Sequence, residues 1–212
     1  MIQLVLVGGV CALIFTIIIG KDVFSRSAVF IETDPITKVY IDGVLAGSSP
    51  IEIERKSGKV RLELVVESQN TDGHSPSYTT ILELRPGVKT IVRRKFRGSS
   101  GASAGAIISF EQLMTKVASI EFITIPDKAS IYVDGKFTGI SPLITDSLSE
   151  GTHGVEIVAE DRYGTAFEVQ AISGHLTTIY AELEKVENTD DSQSDSDTAV
   201  ENPDNQDKPQ EP

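Results

Sequence analysis

Few residues in this chain are of a type and spacing that could do chemistry. There are three histidines, His74, His153 and His175, and one cysteine, Cys11. A zinc site needs histidine and cysteine ligands in closely spaced pairs. These histidines lack that spacing, and no cysteine lies near them, so strand-end or loop positions are expected for His153 and His175. Asp42 and Asp134 recur in one local setting, each followed by glycine, with no base or metal ligand close in sequence. The carboxylates Glu150, Glu156, Glu160, Asp161 and Glu168 are scattered rather than clustered as in a calcium loop. The glycine-rich run from Gly98 to Gly105 lacks the following Lys-Ser/Thr of a phosphate loop. No nucleophile–base pairing is visible. The chain is therefore expected not to be an enzyme, with no catalytic, cofactor-binding or metal residue and no cofactor.

One cluster could bind something. Arg93, Arg94, Lys95 and Arg97 stand close together, with Arg55, Lys56, Lys59 and Arg61 upstream. Such a run suits an anionic partner: lipid headgroups, an anionic wall polymer or another envelope protein. It equally suits a strand edge defended against aggregation by its charges. Nucleic acid is not expected, because the net charge is −12 and no aromatic platform accompanies the cations.

The elements that would position these groups are built from one pattern used twice, at Thr33–Ile51 and Thr124–Leu143. A proline (Pro35, Pro126) fixes the backbone ahead of a short Val/Ile/Tyr-rich strand. Asp42-Gly43 and Asp134-Gly135 follow, the dipeptide a type I′ hairpin turn demands. A second glycine (Gly47, Gly139) and a Ser-Pro step (Pro50, Pro142) close the return strand. These ten residues are read as structural, with the aspartates as turn formers.

The pattern resembles the PEGA domain, a small bacterial β-domain named for a Pro-Glu-Gly-Ala tetrapeptide. Pro126-Asp127-Lys128-Ala129 keeps two of those letters, and Pro35-Ile36-Thr37 keeps only the proline. The stronger likeness is hydrophobic-x-hydrophobic-Asp-Gly, then Gly, then Ser-Pro. Gly151-Thr152-His153-Gly154-Val155-Glu156-Ile157 and, more weakly, Gly58–Leu64 are similar to the family's later glycine-led strand. The resemblance implies an all-β chain of two tandem, small, transthyretin-like β-sandwiches on an extracytoplasmic or cell-envelope protein, without enzymatic activity.

The two β-domains are placed at residues 28–97 and 117–185. In the first, alternation marks strands at Val29–Thr33, Val60–Val66, Tyr78–Leu84 and Lys89–Arg93; in the second, at Ser119–Thr124, Val155–Ala159, Ala166–Ala171 and Leu176–Leu183. Residues 98–116 read as a flexible spacer, with a short strand at Ala106–Phe110 and a helical turn at Phe110–Lys116 as its only candidate structure. With one cysteine no internal disulfide is possible, so each domain rests on its own core.

Residues 2–20 carry no charge and are mostly Val, Leu and Ile, enough to cross a hydrocarbon core of roughly 30 Å as a helix. An uncleaved anchor is favoured over a signal peptide, because a basic n-region is missing and the apolar run is long. Lys21 and Arg26, counted alone, would keep the domains in the cytoplasm. The family likeness argues for export, and export is the expectation. Residues 186–212 are acidic and nearly devoid of apolar residues, a composition that cannot offset ordering entropy. The expected protein is thus a single-pass membrane protein displaying two β-modules for binding, spacing or attachment. The other reading is a sensory or regulatory input domain of a larger membrane complex.

Overall fold

The computed structural model describes residues 26–67, 75–97, 103–146 and 148–186. The apolar run at 2–20, Cys11, His74, the stretch 98–102 and the tail from 187 onward lie outside the described residues. Among the described residues every regular element is a strand, and no helix is long and apolar enough to cross a membrane.

Fifteen strands occur in order: β1 Arg26–Asp34, β2 Thr37–Ile41, β3 Val44–Ser48, β4 Ile51–Lys56, β5 Gly58–Val66, β6 Ser77–Leu84, β7 Lys89–Phe96, β8 Ser103–Gln112, β9 Ser119–Ile125, β10 Ser130–Val133, β11 Lys136–Ile140, β12 Leu143–Thr145, β13 Gly151–Val158, β14 Thr165–Ala171 and β15 His175–Glu182. They form three sheets: β3-β2-β5-β6, β11-β10-β13-β14, and a central seven-stranded sheet β12-β9-β15-β8-β7-β1-β4. The two four-stranded sheets have the same strand order. The central sheet reads the same way outward from β8 on either side.

Alternation along each strand divides the apolar residues between two cores. Val29, Ile31 and Val92 of the central sheet pack with Val39, Ile41, Leu62 and Leu64 of the first outer sheet. Ile108, Ile120, Phe122 and Ile179 pack with Ile131, Ile157 and Val169 of the second. Pairing puts Val92 opposite Ile107 and Ile91 opposite Ile108. Ile107 leans on the first core and Ile91 on the second. Directly paired residues share a face, so the two cores lie on opposite faces of the same sheet. Each outer sheet thus covers half of the central sheet, one from above and one from below. β7 and β15 both run antiparallel to β8. The halves are accordingly related by an approximate half-turn about the axis of β8.

Two expectations change here. The stretch expected as a spacer carries β8, a ten-residue strand that pairs on both sides. Residues 113–116 are not helical. Ala104, Ala106 and Ile108 alternate inward, and small side chains that resemble spacer composition also let two sheets approach closely. At Gly105 a Cβ would collide with the Arg93 carbonyl oxygen and the Arg94 backbone. β4 and β12, absent from the sequence reading, extend the central sheet at its two ends.

Candidate functional site

The Asp-Gly turns show how the fold fixes each aspartate. Asp42 and Gly43 sit between β2 and β3 with φ of +53° and +80°; Asp134 and Gly135 sit between β10 and β11 with +50° and +73°. Positive φ at both central residues is the type I′ geometry. In each hairpin the register shifts once, between Val39 and Tyr40 and between Ile131 and Tyr132, which leaves a bulge on the return strand. Gly47 and Gly139 stand beside that bulge. A Cβ there would come within 2.6 Å of the Ile51 Cδ1 and 2.9 Å of the Leu143 Cδ2, respectively.

Each turn aspartate also reaches across its sheet. Asp42 Oδ1 accepts from the Arg61 amide at 2.9 Å, and Arg55 donates to its Oδ2 at 2.8 Å. Asp134 Oδ1 accepts from the Gly154 amide at 2.9 Å, and its Oδ2 meets His153 Nδ1 at 2.7 Å. The far ring nitrogen of His153, Nε2, lies 2.8 Å from the Ser149 carbonyl oxygen. His153 is therefore inside β13 and buried, rather than in a loop or at a strand end. Sequence distance hid this partner of Asp134, because the turn and β13 meet only through sheet pairing. Both ring nitrogens face oxygen acceptors, an arrangement only the imidazolium satisfies with two N–H donors. The hydrogen bond to Asp134, followed by that to Ser149, raises the His153 pKa above its usual value. The hydrogen bond from His153, followed by that from Gly154, lowers that of Asp134. With Nδ1 on Asp134 and Nε2 on a backbone carbonyl, both nitrogens of the imidazole are committed within the protein. Its chemistry is that of a brace.

A second device was not legible from sequence. Ser49 and Ser141, each the residue before a motif proline, are buried hydroxyl hubs. Ser49 Oγ bonds the Thr33 hydroxyl and accepts from the Thr37 amide at 3.0 Å. Ser141 Oγ bonds the Thr124 hydroxyl and accepts from the Ala129 amide at 3.2 Å. Thr33 and Thr124 also donate to the carbonyls of Pro35 at 2.8 Å and Pro126 at 2.7 Å. The peptides before Pro35, Pro50, Pro126 and Pro142 are all cis. The motif prolines thus flank a polar clasp that ties the first strand of each half to the end of its hairpin.

The basic cluster does not form one surface. Along β7 the side chains alternate, so Arg93 and Lys95 face one side of the central sheet and Arg94 the other. Each has a carboxylate partner. Arg93 pairs with Glu32 at 3.1 Å, Lys95 with Asp34 at 3.1 Å, buried Arg94 with Glu182 at 2.6 Å, and Arg97 with Glu184 at 3.5 Å. Arg94 also stacks 3.3 Å over the Tyr78 ring. Arg93 further donates to the Glu168 carbonyl at 3.2 Å and Thr177 to the Gln170 carbonyl at 3.2 Å, which caps part of the free edge of β14. Arg94 makes its ion pair in the interior, while Arg93 and Lys95 make theirs at the surface, and Arg93 also covers part of the free edge of β14, as an edge-protecting charge does. Among the described residues no group of three or more His, Cys, Asp or Glu is placed to hold a metal ion.

Comparison with known proteins agrees with the architecture in the second half. A PEGA domain is found at residues 118–187. No curated protein and no solved structure matches the chain.

Proposed function

We propose that this chain is a non-catalytic, membrane-anchored cell-envelope protein whose two β-sandwich modules serve binding, spacing or attachment at the surface. The observation that carries the reading is β8. By pairing with β7 and β15 it fuses the two sandwiches into one sheet, a stiff spacer rather than two beads on a flexible string. The PEGA domain at 118–187 supports a surface-associated β module.

The first half, residues 28–97, is proposed as a second copy of the same domain. Its outer sheet repeats the strand order, its Asp42-Gly43 turn repeats the dihedral angles, and its Thr33–Ser49 clasp repeats the hydrogen bonds of Thr124–Ser141. The apolar run at residues 2–20 supplies the anchor in the bilayer, with the modules outside the cytoplasm. Protease added to intact cells tests this. Digestion within residues 28–185 without lysis is expected; digestion only after lysis overturns export.

A further inference from the structure

Cations collect at one end of the first half. Arg26, where β1 begins, is paired directly with Lys56, where β4 ends. β5 starts just beyond, so Lys59 lies at the same end. Arg61 is level with the Asp42 turn that closes it. Arg85 belongs there too, because the Gly87 amide donates to the Arg26 carbonyl at 2.7 Å. Asp42, Glu111 and Glu52 hold Arg55, Arg85 and Lys89. Lys56, Lys59 and Arg61 form no ion pair among the described residues, although Glu83 stands across from Lys59 in the register. Like charges directly opposite on a sheet repel. Glu54 tempers the Arg26–Lys56 pair from 3.5 Å, with its own side chain and that of Arg26 mostly exposed.

The second half is a control on the same scaffold. The carbonyls of Arg26 and Val117 accept from Gly87 and Gly174, and those of Arg85 and Ile172 from Val88 and His175. The amides of Arg61 and Gly154 donate to the two turn aspartates. Arg26, Arg85 and Arg61 therefore correspond to Val117, Ile172 and Gly154. By the same registers Lys59 corresponds to Thr152 and Lys89 to Leu176. Each of these cations is an uncharged residue in the second half, so the sandwich does not require them. What distinguishes the first half is the chain that enters it. The apolar run ends at Gly20, and the path from Gly20 to Arg26 spans at most about 22 Å. An anchor in residues 2–20 keeps the Arg26 end within that distance of the bilayer's apolar core.

We infer that this end of the first half, built from Arg26, Lys56, Lys59 and Arg61, is a docking surface for the headgroups of anionic phospholipid. The inference rests on the proposed anchor at residues 2–20, and not on which side of the membrane the domains occupy. Headgroup phosphates relieve the repulsion between Arg26 and Lys56. Each Lys or Arg near an anionic surface strengthens binding about fivefold. The half-turn about β8 points the same end of the second half the same way, but that end carries Asp146 and Glu150 beside the Asp134 turn. Anionic lipid thus attracts one half and repels the other, and the shared sheet tilts onto the first.

The test uses the full chain in nanodiscs of phosphatidylcholine alone or mixed with phosphatidylglycerol, read by hydrogen-exchange mass spectrometry. Peptides covering residues 52–61 and 84–89 are expected to exchange at least about tenfold more slowly with phosphatidylglycerol, and about 0.5 M salt to abolish the difference. Their counterparts at 146–154 and 171–176 should not respond. Lys56→Thr, Lys59→Thr and Arg61→Thr together should remove the response, with circular dichroism checking the fold. Lys59→Thr alone should weaken it, which keeps the test decisive if the triple variant misfolds. A wild type that enters the discs but shows no lipid-dependent slowing overturns the inference and leaves the anchor standing. A chain that does not enter the discs overturns both. Slowing that survives the substitutions, or is equal in the second half, places the contact elsewhere and overturns the docking surface. Slowing by soluble polyphosphate, with none from phosphatidylglycerol, assigns the surface to a soluble polyanion and overturns it as well.

Discussion

At the scale of single residues, the His153–Asp134 brace gives the protein a pH dependence whose sign follows from the geometry. His153 holds its proton to higher pH in the folded state than in the unfolded chain. Its stabilisation is complete below the ordinary histidine value of about 6.5 and is lost as pH rises through the raised value. Asp134 is shifted down, so its contribution is complete above the ordinary carboxyl value of about 3.9 and is lost as pH falls through the lowered one. The pair stabilises most between those limits. Urea midpoints measured from pH 5 to 9 should fall on the alkaline side, and His153→Asn should flatten that slope; a wild-type profile that rises with pH contradicts the brace. The clasp makes a separate prediction. Ser141→Ala removes a buried hydroxyl and strands the Ala129 amide, at a cost of about 1–3 kcal/mol. Ser49→Ala should cost a similar amount through the Thr37 amide. Equilibrium denaturation of the two variants checks both. Threonine at either position should recover part of the loss, because it returns the hydroxyl.

At the scale of elements, legibility in the sequence followed how local the cause is. A hairpin turn is decided by two adjacent residues, so Asp42-Gly43 and Asp134-Gly135 could be read directly, as could long strands with strict alternation such as Val60–Val66. The partner of Asp134 could not, because His153 is 19 positions away and meets it only after β13 pairs with β10. Nor could the opposing faces of Arg93 and Arg94, since a run of like charges looks like a patch until the pleat separates it. β8 was legible only as a short strand at Ala106–Phe110 within a spacer, for a different reason. Its glycine and small residues carry the composition of a flexible linker, and only the sheet it enters shows why small residues are needed. Gly105 gives the test. Gly105→Val pushes a side chain into the Arg93 carbonyl, where β7 and β8 are paired. The expected cost is about 3 kcal/mol, with faster amide exchange in both β7 and β8. Gly139→Ala should cost less, since the obstructing atom is the end of the flexible Leu143 side chain rather than backbone.

At the scale of the whole molecule, the two sandwiches are separate in their cores and joined in their sheet, and this combination decides how they unfold. Were they independent domains, each would melt with its own stability, because no apolar cluster spans both. β8 changes that. It supplies Ala106 and Ile108 to the second core, while Ile107 leans on the first, and it is hydrogen-bonded along both sides. Removing it would expose a raw edge on β7 and another on β15 at once and open both cores. Neither half can therefore unfold without a penalty on the other. The described protein is expected to unfold in one transition, with amides of β5 and β13 exchanging at the same global free energy by hydrogen-exchange mass spectrometry. In Gly105→Val, where the β7 side of β8 is loosened while the β15 side is intact, β5 should exchange before β13. Two well-separated wild-type transitions would mean that β8 belongs energetically to one half alone. The shared sheet would then be a flexible seam, and the rigid spacing proposed for the protein would lose its physical basis.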